Sequence, residues 1–426
     1  MNREIAVVYG AGASHDSGYQ MFVDRDHVQG ASSSLSIAPP LDRNFFAQAE
    51  IKRATEKFPS IRFFVERYFS IPDGTNSEEC HLGLEEVWSA VDLNYKHIAL
   101  ETYDWESISR AYLKLVRPEY LDWVDMDENP MAPGDKKPTR RKFLGDCGRD
   151  LKRLCYRIFG KPELHAGSAD CYWRLHSLLS GMGYKIEHVT FNYDTCLERS
   201  LYTHEIPVHY VTDYGIADLA FVQKAVHIAK LHGSLNWTSS ESLVEPLKVP
   251  SYPYMEGDFW GVEPEYPHRS SPEAAVKEPL IIPPTWFKNE INDDSRVENR
   301  VTQLILHQWR FALKALRRAD LIIVIGYSFP ITDFHVQRLF RLAYMDRANT
   351  NPPHILYCTK TNDGEEVGNG LSFLGDAAKN IVIETKGFSA LCQEDSLKGH
   401  LNALNMPVEP QESGHNEHLV KSRADE

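Results

Sequence analysis

Asn192 and His232 are the residues of this sequence best suited to carry a reaction, and each stands just past a short apolar run. Asn192 lies in Thr190-Phe191-Asn192-Tyr193-Asp194-Thr195, where an amide followed two residues later by a carboxylate can hold a water and a cation. His232 lies in Lys230-Leu231-His232-Gly233-Ser234, where an imidazole with an ordinary pKa of ~6.5 can reach a cleft as a general base. Two further segments suit a nucleotide. Gly10-Ala11-Gly12-Ala13-Ser14 follows the apolar run EIAVVY, and without bulky side chains its backbone can approach a pyrophosphate closely. Gly326-Tyr327-Ser328-Phe329-Pro330 follows LIIVI, where glycine lets a ligand approach and serine can bond a ribose or phosphate. Each segment alone also has an ordinary structural explanation. Asn and Asp favour turns, a single histidine often packs or caps, and small residues at a strand exit allow tight packing.

The elements that must position these residues alternate between strand and helix. Strands are expected at EIAVVY, KIEHVT, AVHIAK, LIIVI, HILYCT and NIVIET. Helices are expected over LEEVWSAVDLNYKHIAL, FLGDCGRDLKRLCYRIF, CYWRLHSLLSGMG, VTQLILHQWRFALKALRR and from about Phe334 to Met345. Apolar strands with little alternation, separated by helices, predict a parallel α/β sheet covered on both faces. Ligands of such sheets sit at the carboxyl ends of the strands, where all four segments fall. The stretch 41–185 reads as a mainly helical insertion, and 239–284 as an irregular insertion rich in proline, tyrosine and glycine. Gly18 to Pro40 reads as a mobile loop, DMDENPMAPGDKKPTR as a surface loop, and 409–426 as a disordered polar tail. No acidic residue closes a second strand ~20 residues after the first loop, as an ordinary dinucleotide dehydrogenase requires.

Bulk composition narrows the classes. The 426 residues suffice for one large α/β domain with insertions or for two domains, and 42% are hydrophobic. No apolar run approaches a membrane span, and the N-terminus has no signal-peptide pattern. The seven cysteines form no CxxC pair, which argues against a disulfide framework and a four-cysteine zinc site, so a reducing cytoplasmic setting and no metal are expected. A net charge of −14 argues against broad nucleic-acid binding, and the basic run Lys136, Lys137, Arg140, Arg141 and Lys142 reads as a solvated loop.

Taken together and in this order, GAGAS, FNYD, KLHGS and IGYSF resemble the sirtuin-like superfamily, from Ile5 to about Phe388. The resemblance implies a Rossmann-like parallel sheet with helices on both faces, an inserted helical subdomain, and one domain over 1–408. NAD is then the substrate. The resemblance makes Asn192, His232 and Asp194 catalytic, and puts Gly10, Ala11, Gly12, Ala13, Ser14, Gly326 and Ser328 on the dinucleotide, with Asp42 in a looser echo of the family's P-D-F-R segment. The chain departs from protein-deacylating sirtuins in lacking their zinc cysteines. It is more similar to bacterial sirtuin-like effectors of antiphage defence, which hydrolyse NAD to nicotinamide and ADP-ribose. That likeness implies a homo-oligomer, or activation by a separate partner such as a HerA-like ATPase or a short Argonaute. A deacylase, an ADP-ribosyltransferase and a non-catalytic NAD- or ADP-ribose-sensing module are the other readings.

Overall fold

Leu321–Ile325 are buried at every position, which is what a strand inside a parallel sheet with two covered faces requires. A computed structural model describes residues 3–23, 35–39, 41, 45–47, 55, 58–69, 82–96, 137–160, 162–210, 225–239, 247–248, 278–282, 296–329, 333–345, 347, 352–360, 372–374 and 381–408. Its strands are β1 (Glu4–Tyr9), β2 (Tyr19–Val23), β3 (Leu35–Ile37), β4 (Pro162–Leu164), β5 (Lys185–Thr190), β6 (Val208–Tyr210), β7 (Val226–Lys230), β8 (Gly233–Ser239), β9 (Leu247–Lys248), β10 (Glu278–Ile281), β11 (Leu321–Ile325), β12 (His354–Cys358) and β13 (Ile381–Glu384). Seven of them form one sheet in the order β13-β12-β11-β1-β5-β7-β6, and every pair in it is parallel. The expected α/β sheet is therefore present.

Alternate residues of the strands feed two cores. Ile5, Val7, Tyr9, Ile323 and Ile325 point toward the helices Cys171–Gly181, Cys196–Thr203, Phe388–Leu391 and Glu394–Ala403. Ala6, Val8, Val189, Ala229, Ile322 and Val324 point toward Arg296–Arg318 and Phe334–Met345. Burial of each large aliphatic contributes about 1.5–3 kcal/mol. A third core, built on Phe64, Trp88, Phe143, Leu151 and Leu154, joins the helices Pro59–Tyr68, Leu84–Lys96 and Lys137–Phe159. It reaches the rest of the molecule through Leu235 on β8 and Ile281 on β10.

Three expectations need correction. Within the stretch read as a mobile loop, β2 and β3 pair antiparallel, and β4 pairs with the other edge of β2. The alternation was short but real, since Tyr19 and Met21 are both buried. AVHIAKLHGSLNW breaks into two strands, because Gly233 adopts φ +77° and turns β8 away to pair antiparallel with β10. The basic run from Lys137 to Lys142 opens the long helix Lys137–Phe159 and is not a loop. Pro138 is compatible with this, since the first turn of a helix needs no N–H from it. Lys136, Asp42, Cys80 and the tail 409–426 lie outside the described residues.

The first of the two cores contains an acid-sensitive feature. Tyr9 OH and His188 Nδ1 are 3.1 Å apart, and His188 Nε2 lies 3.2 Å from His176 Nδ1. Burial holds His176 down to about 4 from its ordinary 6.5, and burial next to His176 lowers His188 as well. Both imidazoles are neutral in the folded protein. Their contribution to stability is complete above pH 6.5 and is lost as pH falls from there through the folded values, because only the unfolded chain takes up the protons. His176 alone is expected to remove about 2 kcal/mol between pH 7 and pH 5. Urea midpoints measured across that window check this, and His176→Gln is expected to flatten the slope.

Candidate active site

One row of residues ends the strands of the large sheet. Pairing across it runs Lys230–Thr190–Tyr9–Ile325–Cys358–Glu384. Gly10 and Gly326 are each one residue past the row, Asn192 and His232 are two past it, and Asp194 is four past it. Parallel register therefore gathers segments that are far apart in the chain onto one edge. Strand β1 continues to β11 on one side and to β5 on the other, so the gathering occurs at the point where the strand order diverges.

The glycines of the two small-residue loops serve each other. Gly12 N–H donates to the Gly326 carbonyl at 2.9 Å, and Gly10 N–H donates to the Ile325 carbonyl at 2.9 Å. A Cβ on Gly12 would stand 2.8 Å from Gly326 Cα, and a Cβ on Gly10 would stand 2.6 Å from the Gly326 carbonyl oxygen. Ala13 N–H is taken by the Gly10 carbonyl at 2.9 Å. Three amides that looked free for a pyrophosphate are thus already bonded. A cavity of about 550 Å³ opens beside the loops, with Ala11, Gly12 and Ser14 in its wall, while Gly10 and Ala13 stand behind it.

Ser14 is the centre of the polar cluster. Its Oγ donates to Asp194 Oδ2 at 2.8 Å, and it accepts from Asn192 Nδ2 at 2.9 Å. Tyr172 OH is 2.9 Å from the same oxygen. The single serine proton goes to the carboxylate, so Tyr172 donates to Ser14 and the hydroxyl is fully satisfied. The second hydrogen of Asn192 Nδ2 goes to the Gly10 carbonyl at 2.9 Å. With both amide hydrogens committed to acceptors, the orientation of the Asn192 side chain is settled. Its Oδ1 is the remaining acceptor, on a residue that lines the cavity. Asp194 Oδ1 accepts from Cys196 N–H at 3.0 Å, so this buried carboxylate has a bond on each oxygen and fixes Ser14 from below.

His232 also lines the cavity, at 6% exposure. Its ring stands among Phe191, Tyr193 and Trp309, with centroids at 5.4, 6.2 and 6.5 Å. Trp309 Nε1 donates to the Leu231 carbonyl at 3.1 Å, and Ile282 N–H donates to the His232 carbonyl at 2.8 Å, so the backbone that carries the imidazole is held on both sides. Gly326 and Ser328 reach the cavity from the β11 exit, with Ser328 exposed. Between them Tyr327 stacks on Phe191 at 4.4 Å and donates to Asp333. Farther along, Lys360 pairs with Asp16 at 2.6 Å where β12 and β13 end. The helical segments add Phe45, Leu84, Glu85 and Phe159 to the wall.

The structure thus places Asn192, Asp194, His232, Ala11, Gly12, Ser14, Gly326 and Ser328 around one cavity. Residues not anticipated from the sequence are Tyr172, which completes Ser14, and Lys230, which ties the two reactive loops together. Nothing in the helix pattern marks Tyr172. Lys230 carried a signal, as a cation ending an otherwise apolar strand. Among the described residues no group of three or more His, Cys, Asp or Glu is arranged to hold a metal, and no helix is long and apolar enough to cross a membrane.

The arrangement can hold an elongated ligand with an oriented acceptor and an imidazole toward the β5 and β7 end. No family model matches the chain, and no curated protein sequence is similar to it. Among solved structures the chain is similar to a mutant Sir2 homologue in complex with 2'-O-acetyl ADP ribose (TM-score 0.36, 13% identity, 96% of each chain covered) and to a Sir2 homologue–NAD complex (TM-score 0.34, 14% identity, 95% of this chain and 91% of that chain covered).

Proposed function

We propose that this protein hydrolyses NAD to nicotinamide and ADP-ribose. The observation that carries the proposal is the Asn192 amide, locked by two donated bonds so that its Oδ1 remains as an acceptor in the same cavity as His232. The cavity wall draws on the exits of β7, β5, β1, β11, β12 and β13. At about 4.8 Å per strand that is a run of about 24 Å, enough for an extended dinucleotide.

The chemistry suits these groups. The nicotinamide leaving group is cationic before the bond breaks and neutral afterwards, so it needs no general acid. The barrier lies in the oxocarbenium-like ribose and in bringing water to its open face. Asn192 Oδ1 accepts from that water or from a ribose hydroxyl and sets its line of approach. His232 is the general base. Asp194 acts through Ser14, keeping the amide turned. Ala11, Gly12 and Ser14 flank the pyrophosphate, and Gly326 and Ser328 flank the adenosine half. The biological role we attach to this activity is depletion of cellular NAD as an abortive-infection response to phage. It would be switched on by self-assembly into a homo-oligomer or by a separate chain such as a HerA-like ATPase or a short Argonaute.

The test is nicotinamide release from NAD by purified protein, alone and with the product of an adjacent ATPase or Argonaute gene. Asn192→Ala/His232→Ala together are expected to stop it in a protein that still folds. A double variant that consumes NAD at the wild-type rate would falsify the assignment. Release that depends on an acylated lysine peptide would identify a deacylase, and label transferred from NAD to protein would identify a transferase. Tight NAD binding without turnover, activator included, would identify a sensing module.

A further inference from the structure

Lys230 ends β7 as a fully buried ammonium, and its Nζ donates to the backbone carbonyl of Asp194 and to Glu198 Oε1 at 2.9 Å. Glu198 is buried too, and it lies in the first turn of the helix Cys196–Thr203 that starts just after Asp194. The same Oε1 accepts from Tyr210 OH at 3.0 Å, and Tyr210 OH accepts from Asn236 Nδ2 at 2.9 Å. Lys230 N–H donates to Gln308 Oε1 at 3.1 Å. A continuous set of bonds therefore links β8, β6, the helix after β5, and the end of β7. Asn192 lies two residues before the carbonyl that Lys230 holds, and His232 lies two residues after Lys230 itself.

Such a pair is a poor source of stability. Removing both charges from water offsets their attraction, and apolar residues of similar volume commonly do as well or better. What the pair does supply is a fixed separation, because a carbonyl of one reactive loop is bound to the root of the other. We infer that Lys230 is a positioning residue that holds the Asn192–Asp194 loop and the His232 loop in one relative geometry, so that water and base meet the same ribose carbon. This inference rests on the assignment of NAD cleavage to Asn192 and His232.

Lys230→Met alone leaves Glu198 without its cation in the interior, so the variant to use is Lys230→Met/Glu198→Met. It is expected to unfold cooperatively at a midpoint no lower than wild type, to keep KM for NAD within about two-fold, and to lose about 10²-fold in kcat, the scale of a misplacement of about 1 Å. Glu198→Gln keeps an acceptor for Lys230 and Tyr210 and is expected to retain kcat within about three-fold. Amide hydrogen exchange without nucleotide supplies a readout independent of turnover, and the double variant is expected to exchange faster at both 191–196 and 231–234. A folded double variant with wild-type kcat, or with unchanged exchange in either loop, overturns the inference. A double variant that cannot fold assigns the pair to stability and overturns it as well. If the wild type cleaves no NAD even with activator, the NAD assignment fails, and faster exchange in both loops still supports the coupling.

Discussion

Asn192→Ala is expected to slow nicotinamide release by about 10³-fold while leaving the fold intact. The substitution removes the acceptor that sets the water and also both donors that tie the loop to Gly10 and Ser14. Asn192 is only half-buried, so the cost to stability is that of two ordinary hydrogen bonds, about 1–3 kcal/mol. Asn192→Asp should be worse in both respects. It turns an acceptor toward the Gly10 carbonyl and adds a second carboxylate beside the Asp194–Ser14 bond. Single-turnover nicotinamide release with denaturant midpoints in parallel separates the two effects. A wild-type rate in folded Asn192→Ala would transfer the water-setting role elsewhere.

The second large effect is structural. Gly326 has φ +60°, and a Cβ there would stand 2.2 Å from Ala13 N and 2.3 Å from the Gly12 carbonyl carbon. Both are backbone atoms, which cannot rotate aside as a side chain does. Gly326→Ala is expected to cost more than about 4 kcal/mol and to push the first loop out of the cavity wall. Urea unfolding at fixed pH reads the stability, and NAD titration reads the binding. An unchanged midpoint would mean that the two loops separate without penalty.

The large sheet was legible in the sequence because its strands are apolar on both faces. LIIVI and HILYC admit few other interpretations once helices are seen between them. The small antiparallel strands were not legible. β2 and β3 span five and three residues, and their partner β4 comes more than a hundred residues later, so no local pattern records the pairing. The break between β7 and β8 was hidden for another reason. KLHGSLNW stays apolar through the turn, and only the backbone angle of Gly233 divides it. At the site, residue types at strand exits identified Asn192, His232 and Ser14 as a group but did not give their wiring. The glycines of GAG were taken as room for a ligand, yet Gly10 and Gly12 are there first because the chain passes within van der Waals distance of Gly326. Tyr172 could not be found, since a tyrosine in the first turn of an ordinary helix carries no mark of the serine it meets.

The shared row of strand ends turns reach into the cavity into a matter of counting. Deleting one residue after Thr190 would present Tyr193 where Asn192 stands, and the same deletion after Lys230 would present Gly233 for His232. Errors at the other ends of the strands have no such consequence, because chain length there changes only the turns. The molecule therefore has an edge where spelling matters and an edge that tolerates editing. A spectroscopic probe or an affinity handle belongs on the second, for example at the turn of Met182 and Gly183 that precedes β5, where it would travel with the sheet and leave the site's arithmetic untouched.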